Sequence, residues 1–259
     1  MNGELRYVYA VTAPFPDALP EELRGVGGAP PRLLVHQGLV AVVSDVPEDD
    51  FREEPLRAHL EDLDWVSDTA RAHQAVVDAL TRVTCPLPLR LATIYLDDDG
   101  VRAALEAGHE EFTRTLARLD GRVEWGVKVY AEQPAPPPEA EPAESAPRSG
   151  REYLRSRRRT VTARENVLEE AEQLGGALHS ALSAYAEDVR TYPAQNPKLS
   201  QIPGQNLLNA AYLVPRERSE EFVAQLEQLG AHDPNVRVEL TGPWAPYSFA
   251  SSERAPESR

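Results

Sequence analysis

The proline-rich stretch Gln133–Gly150 constrains the fold of this chain more than any other feature. It contains six prolines and no aromatic residue or aliphatic residue larger than alanine. Such a segment buries too little apolar surface to offset the entropy lost on ordering, so we expect an extended or mobile linker. The 259-residue chain is therefore predicted to form two globular parts. The predicted bounds are an N-terminal α+β domain over 1–132, the linker over 133–150, a C-terminal domain over 151–242 and a tail over 243–259.

The charge and composition of the chain exclude several classes of protein. The net charge is −15, and residues 1–131 carry 13 basic and 23 acidic side chains. Affinity for nucleic acid comes largely from neutralising phosphates, so this balance argues against nucleic acid and against an anionic membrane surface. No membrane span or signal peptide is expected from the hydropathy pattern. Cys85 is the only cysteine, which excludes an intramolecular disulfide and is consistent with a reducing cytoplasm.

The N-terminal domain shows a mixed order of strands and helices. Alternation predicts the first strand, and Gln37-Gly38 is suited to a two-residue hairpin turn. This order indicates an α+β sheet with helices on one face. The predicted elements are strands Leu5–Val11, Arg32–His36 and Leu39–Ser44, helix Leu56–Val83, strand region Leu89–Leu96, helix Val101–Leu119 and strand Arg122–Ala131.

The C-terminal domain begins with a long helical stretch, Arg151–Asp188, in which Leu154, Val161 and Leu168 are spaced by seven residues. A coiled-coil seam and a core helix broken near Gly175-Gly176 both remain possible, and the core helix is favoured. The elements that follow indicate a modified ferredoxin-like α/β sandwich behind a long leading helix. They are strands Val189–Tyr192, Asn206–Val214 and Asn235–Leu240 and helix Arg216–Leu229.

A search for reactive groups finds no pattern typical of catalysis, cofactor binding or metal binding. His73 lies on the apolar stripe of its helix and is interpreted as a core histidine. Asp97–Asp99 precede a helix and are interpreted as a capping run. The glycines of 25–28 precede prolines rather than a helix, so they are not a phosphate-binding loop.

Four arginines near the start of the long helix, Arg155, Arg157, Arg158 and Arg159, form a candidate interaction site. Cations at this position oppose the helix dipole. They are either a solvated helix start or a site that docks electrostatically onto an acidic surface, which could be the N-terminal domain or a partner. The sequence leaves both possibilities open.

The C-terminal tail contains the other candidate interaction residues, Trp244, Tyr247 and Phe249. Pro243 and Pro246 stiffen this segment, so it loses little entropy when its rings dock. It either closes a core or is presented to a partner. We expect it to dock between the domains with Trp244 largely buried.

Short segments in this order along the chain resemble the gas vesicle protein F/L family. They are Tyr7-Val8-Tyr9, Pro86-Leu87-Pro88-Leu89-Arg90, Gly121–Val129, Glu152-Tyr153-Leu154, Asn209–Val214 and Leu240–Phe249. The chain departs from the family pattern in three places. It has Leu91-Ala92-Thr93 where the family has phenylalanine, glycine and threonine, Gln74 where the family has glutamate, and Ala245 where a third proline is common.

The resemblance implies a non-enzymatic, two-domain protein needed for gas vesicle assembly in the cytoplasm. It implies binding to the hydrophobic shell protein, contacts with other gas vesicle accessory proteins and a minor place in the vesicle itself. It implies no catalytic residue, no cofactor and no metal, and a monomer is expected. The competing hypotheses are a ferredoxin-like small-ligand-binding protein or enzyme with a cryptic active site, and a protein that self-associates through residues 154–189.

Overall fold

The structure is a computed structural model that describes residues 3–132, 150–193, 204–230 and 235–250. The predicted linker lies outside the described residues except for Gly150. The chain divides into two compact units. The N-terminal unit comprises Met1–Glu124 and Pro243–Arg259, and the C-terminal unit comprises Trp125–Gly242. The α+β class predicted from the sequence is confirmed.

A five-stranded sheet forms the centre of the N-terminal unit. Its strand order is β2-β3-β1-β4, and β5 pairs with β1 beside β4. Gln37 and Gly38 both have positive φ, 46° and 77°, which matches the predicted two-residue hairpin between β2 and β3. The strands are β1 (Glu4–Thr12), β2 (Arg32–His36), β3 (Leu39–Pro47), β4 (Leu87–Pro88) and β5 (Ile94–Tyr95).

A bulge in β1 changes which side chains face the core. The register with β3 shifts between Val8 and Ala10, so Tyr9 is the extra residue. Tyr7, Tyr9 and Ala10 consequently all contribute to one buried cluster, although strict alternation would separate the last two.

The predicted strand region Leu89–Leu96 is instead a turn between two short strands. Leu89 and Thr93 donate backbone hydrogen bonds to Tyr9 and Arg90, and Ala92 has φ 60°. Side chains rarely adopt this left-handed conformation, and glycine adopts it without strain. The glycine that the family resemblance implies at this position would adopt this conformation without strain, whereas Ala92 is strained.

The two long helices predicted for this unit are each divided in the structure. Asp62 adopts an extended conformation and caps the helix that follows it, so Leu56–Val83 is interrupted there. Gly108 separates the second pair. The helices are α1 (Glu48–Phe51), α2 (Glu53–His59), α3 (Leu63–Thr81), α4 (Asp98–Ala107) and α5 (His109–Leu119).

Helices cover both faces of this sheet, so the expected one-sided arrangement is wrong. Val76, Val77 and Leu80 of α3 pack in the cluster that contains Tyr7. Asp98 of α4 pairs with Arg6, whose side chain points to the opposite face from that of its neighbour Tyr7. Every residue of β1 from Tyr7 to Thr12 is buried. Successive side chains of a strand point to opposite faces, so both faces of the sheet are covered at β1.

The C-terminal unit has a four-stranded sheet with the order β7-β8-β6-β9. Along the chain these strands and two helices alternate as strand, helix, strand, strand, helix, strand, which is the ferredoxin-like pattern. The sequence interpretation assigned Arg122–Ala131 to the N-terminal sheet, whereas it is an inner strand of this one. The elements are β6 (Arg122–Ala131), α6 (Gly150–Ser183), β7 (Asp188–Thr191), β8 (Gln205–Pro215), α7 (Ser219–Gly230) and β9 (Val236–Trp244).

Helix α6 is continuous, so the break expected at Gly175-Gly176 is absent from it. Ala171, Leu178 and Leu182 are fully buried, which identifies a core-facing stripe. An added Cβ at Gly175 would lie 3.9 Å from the Cβ of Leu207, which is an ordinary contact, so packing against β8 does not itself require glycine at this position. Within the described part of the chain, no helix is both long and apolar enough to cross a membrane.

The left-handed Ala92 generates a stability prediction. Ala92→Gly should raise the free energy of unfolding by about 1 kcal/mol, because it relieves a conformation that costs about 1–2 kcal/mol with a side chain. The matched control is Ala103→Gly, at an exposed position inside α4, which should lower stability by about 1 kcal/mol. Urea unfolding measures both. Equal losses from both substitutions would contradict the strain at Ala92.

Candidate interaction site

The C-terminal tail packs within the N-terminal unit. After Trp244 the chain forms a short 3₁₀ turn at Tyr247–Phe249, in which Tyr247 and Phe249 donate to the backbone oxygens of Ala245 and Pro246. Ala245 and Phe249 have no exposed surface, and Ala245 and Tyr247 pack with the buried cluster of β1, β3 and α3. The tail therefore closes a core.

Polar contacts attach the tail to the end of the N-terminal segment. The carboxylate of Glu124 accepts hydrogen bonds from the backbone N–H of Ser248 at 2.8 Å and from its hydroxyl at 2.6 Å. The guanidinium of Arg118 donates to the backbone oxygen of Phe249. Glu124 is itself buried, and hydrogen bonds to a buried carboxylate are among the stronger ones in proteins.

The expectation that Trp244 is largely buried is wrong, because its side chain is 40% exposed. Trp244 continues the extended β9, where successive side chains point to opposite sides, and the chain turns into the core only after it. Ala245 and Phe249 take the buried positions instead. Of the four candidate arginines, Arg158 is exposed on α6, and the side chains of Arg155, Arg157 and Arg159 lie outside the described residues.

His73 and three tyrosines form the polar centre of the N-terminal core, which confirms His73 as a core residue. The Nδ1 atom of His73 lies 3.0 Å from the Tyr7 hydroxyl, which also accepts from the backbone N–H of Ala92 at 3.1 Å. The Tyr9 hydroxyl accepts from the N–H of Val26 at 2.8 Å. Burial lowers the pKa of His73 to about 4 and raises the pKa values of Tyr7, Tyr9 and Tyr247.

This centre is arranged to remain uncharged rather than to transfer protons. The tyrosines, which are neutral at ordinary pH in any case, stay neutral into more alkaline solution because burial raises their pKa values, and the histidine is neutral because burial lowers its pKa. The cluster of buried apolar residues around them, from Leu5 to Leu80, leaves them within the core. We interpret these residues as structural.

Other reactive groups have structural roles as well. Asp97 accepts a hydrogen bond from the N–H of Gly100 at 2.8 Å, which confirms it as a helix cap. The thiol of Cys85 donates to the backbone oxygen of Leu119 at 2.9 Å. In the residues that the structure describes, no group of three or more histidine, cysteine, aspartate or glutamate side chains could hold a metal ion.

A groove of about 430 Å³ lies in the described part of the C-terminal unit. It is lined by α6, including Gly175, Gly176 and His179, and by the start of β8. Its buried polar residue, Asn206, uses its side-chain amide to bind the backbone oxygens of Val129 and Leu208. His179 lies 2.8 Å from the Tyr212 hydroxyl through Nδ1. These polar groups are thus engaged in holding the fold.

Strand β2, at the edge of the N-terminal sheet, is the best candidate for binding another protein. Leu33 and Val35 lie on the same face of the strand and are 40% and 65% exposed. Because His36 and Leu39 flank a two-residue turn and pair by hydrogen bonds, the alternation of the ladder turns the backbone groups of Leu33 and Val35 away from β3. The strand can therefore accept another strand along this edge.

An ion-pair network holds β2 in place. Asp98 at the start of α4 binds Arg6 at 2.7 Å and Arg32 at 2.6 Å, and Asp45 lies within 3.2 Å of the same two guanidinium groups. Hydrogen bonds from Arg32 and Arg6 lower the pKa of Asp98 to about 2. The edge strand is therefore preorganised by β1, β3 and α4 together.

Three other edge strands carry features that discourage pairing. The edge strand β9 contains Arg237, Glu239 and Pro243, β7 contains Asp188 and Arg190, and β4 contains Pro88. Charged residues and proline on an edge oppose the addition of another strand. Sequence reasoning did not select β2, because the signal that distinguishes it is the exposure of Leu33 and Val35 at an edge.

These observations describe an α+β protein with an apolar edge strand suited to contact with another protein. The comparisons identify its family. The model of the family described as gas vesicle synthesis protein GvpL/GvpF matches residues 5–251, so the chain belongs to this family and has a role in gas vesicle formation.

Relatives and solved structures agree with this assignment. The chain is 58% identical to gas vesicle protein L of Streptomyces sp. (strain CB03234), over 96% of this chain and 94% of that protein. It is 31% identical to gas vesicle protein F of the same strain, over 94% and 98% of the two chains. The crystal structure of GvpF from Anabaena sp. PCC7120 shares the fold, with a TM-score of 0.66 and 19% identity over 99% of this chain and 100% of that one.

The lowered pKa of His73 predicts a pH dependence of stability. The unfolded chain binds a proton at His73 near its ordinary pKa of 6.5, whereas the folded protein resists protonation until about pH 4. The contribution of His73 to the free energy of unfolding is therefore fully present above pH 6.5. It falls by roughly 3 kcal/mol as the pH drops to about 4. Urea unfolding of the native protein and of His73→Gln at several pH values measures this difference. If both proteins lost stability equally over that interval, His73 would not be its source.

Proposed function

We propose that this protein is a non-enzymatic assembly factor that binds the gas vesicle shell protein in the cytoplasm through edge strand β2. The observation that carries the proposal is an edge strand with Leu33 and Val35 exposed on one face and its outer backbone groups turned outward. Exposed apolar edges are an aggregation hazard, and the edge strands β9, β7 and β4 carry charge or proline. On β2 the charge of Arg32 is paired with Asp45 and Asp98, and the exposed pair Leu33 and Val35 supports a binding role.

The chemistry of the partner fits this edge. A shell subunit is amphipathic and prone to aggregate before it enters the vesicle wall, so a factor that delivers it must cover apolar surface. Strand addition supplies backbone hydrogen bonds, and the side chains on one face supply apolar contact. At Leu33 and Val35, β2 offers outward-turned backbone groups for these hydrogen bonds and exposed side chains for the apolar contact.

The charge of the chain suits a factor that keeps an apolar partner in solution. The net charge of −15 disfavours self-association of the complex through charge repulsion. The non-enzymatic assignment is supported by the structural roles of His73, Asp97 and Cys85. The alternative function, a small-ligand-binding protein or enzyme, would use the groove beside α6 as its binding site.

We further infer that the chain is an L-type member of its family. The identities of 58% and 31% to the L and F proteins of one organism support this assignment. Contacts with other gas vesicle accessory proteins, a minor place in the vesicle and a monomeric state belong to the same proposal.

The proposal is tested by purifying the full chain and measuring its retention of shell protein. The double variant Leu33→Lys/Val35→Lys places two charges on the open edge, so it should reduce retention at least about tenfold, equivalent to about 1.4 kcal/mol. The matched control is Leu96→Lys, at a leucine that is 76% exposed elsewhere in the N-terminal unit, and it should bind like the native protein.

A cellular measurement addresses the same edge and the L-type assignment together. The native gene should restore vesicles to a host that lacks its own L protein and not to one that lacks its F protein, while the double variant should restore neither. Retention by the double variant equal to that of the control would overturn the proposed edge. Restoration of the F-deficient host alone would contradict the L-type assignment.

A further inference from the structure

We infer that an acidic corner of the N-terminal unit, residues 48–68, binds a basic amphipathic helix of a partner protein. Two leucines are exposed where α2 ends and α3 begins. Leu60 is 46% exposed and Leu63 is 82% exposed. Exposed leucines this close together are a candidate contact surface when charged residues surround them.

Negative charge dominates the corner around these leucines. Residues 48–68 contain nine acidic side chains and two arginines. Both arginines are already paired within the corner, Arg52 with Glu48 and Arg57 with Glu53. Among the residues that the structure describes, no basic side chain lies within ion-pair distance of Glu54, Glu61 or Asp64.

Helix capping explains only part of this arrangement. Glu53, Glu54 and Asp64 lie in first helical turns, where negative charge offsets the helix dipole. Glu61 lies between the helices, and the dipole gives no reason for leucine at the exposed positions 60 and 63. A partner that covers the leucines and neutralises the carboxylates accounts for both features.

The spacing of the leucines suits a helix as that partner. Leu63 follows Leu60 by three positions, so their Cα atoms lie at most about 11 Å apart. One turn to two turns of an apolar helix stripe spans this distance. Lysine or arginine beside the stripe would then meet Glu61 and Asp64, and such rim charges increase the association rate and make binding sensitive to salt.

The corner shares no residue with strand β2, so the two proposals can fail independently. The stacked rings of His59 and Trp65, with centroids 4.9 Å apart, form its base. Trp65 also contacts Phe51, which belongs to the buried cluster of this unit. The leucines therefore project from a packed base, and replacing them leaves the core intact.

The test uses the full chain and two fluorescent peptides of about 20 residues, a length that supports a helix in water. Both contain leucine, alanine, lysine and arginine in the same amounts. One peptide has leucines at positions i, i+4 and i+7, and the other has them scrambled so that no stripe forms. Fluorescence anisotropy gives the affinity at low and at moderate salt.

We expect the amphipathic peptide to bind at least about tenfold more tightly than the scrambled one. Leu60→Ser/Leu63→Ser should remove that difference, and Glu61→Lys/Asp64→Lys should weaken binding and reduce its salt dependence. The control Leu33→Ser/Val35→Ser, which alters the β2 edge, should bind the peptide like the native protein.

Two results would overturn the inference. Equal affinity for both peptides would mean that the chain attracts cations through its net charge alone. Concentration-dependent association of the native chain by itself, lost in Leu60→Ser/Leu63→Ser, would mean that the corner is an interface between copies of this chain.

Discussion

Closure of the N-terminal core by the far end of the chain is the constraint on which the rest of this structure depends. Ala245 and Phe249 are fully buried, and Glu124 holds Ser248 by two hydrogen bonds. The N-terminal unit is therefore built from two separate segments of sequence, and the ferredoxin-like unit lies between them along the chain. Folding of the N-terminal core requires a contact of high sequence separation, whose loop-closure entropy must be offset by burial.

Local patterns predicted most elements, and the errors occur where distant contacts decide. Gln37-Gly38 identified its hairpin because Gly38 suits the positive φ that a two-residue turn requires. Arg122–Ala131 was correctly predicted as a strand, but its own residues do not specify which sheet it joins.

The helix predicted over Leu56–Val83 is interrupted at Asp62, which caps α3. The apolar spacing continues across this position and gives no sign of the interruption. Trp244 was expected to be largely buried, but it ends β9 exposed, and the turn that follows places Phe249 in the core. The β2 edge could not be found from sequence, since exposure of Leu33 depends on strand order.

The same packing keeps the polar centre of the N-terminal unit closed and uncharged. The polar groups at the middle of the N-terminal unit, Tyr7, Tyr9 and His73, are held neutral by burial and bind one another or the backbone. The edge strand β2 is held by an ion-pair network on the opposite face of the sheet from these groups, formed by Arg6, Arg32, Asp45 and Asp98. A membership in the GvpL/GvpF family and a preorganised apolar edge are consistent with a protein that acts through binding surfaces.

Native-state hydrogen exchange of the intact chain tests the central claim, that the tail is part of the N-terminal core. The N–H groups of Tyr247, Ser248, Phe249 and Ala250 are all hydrogen-bonded. If the tail closes this core, these N–H groups should exchange with the same opening free energy as those of β1, because both are exposed in one cooperative event. Exchange of the tail at rates typical of an unprotected chain end, while β1 stays protected, would contradict the account.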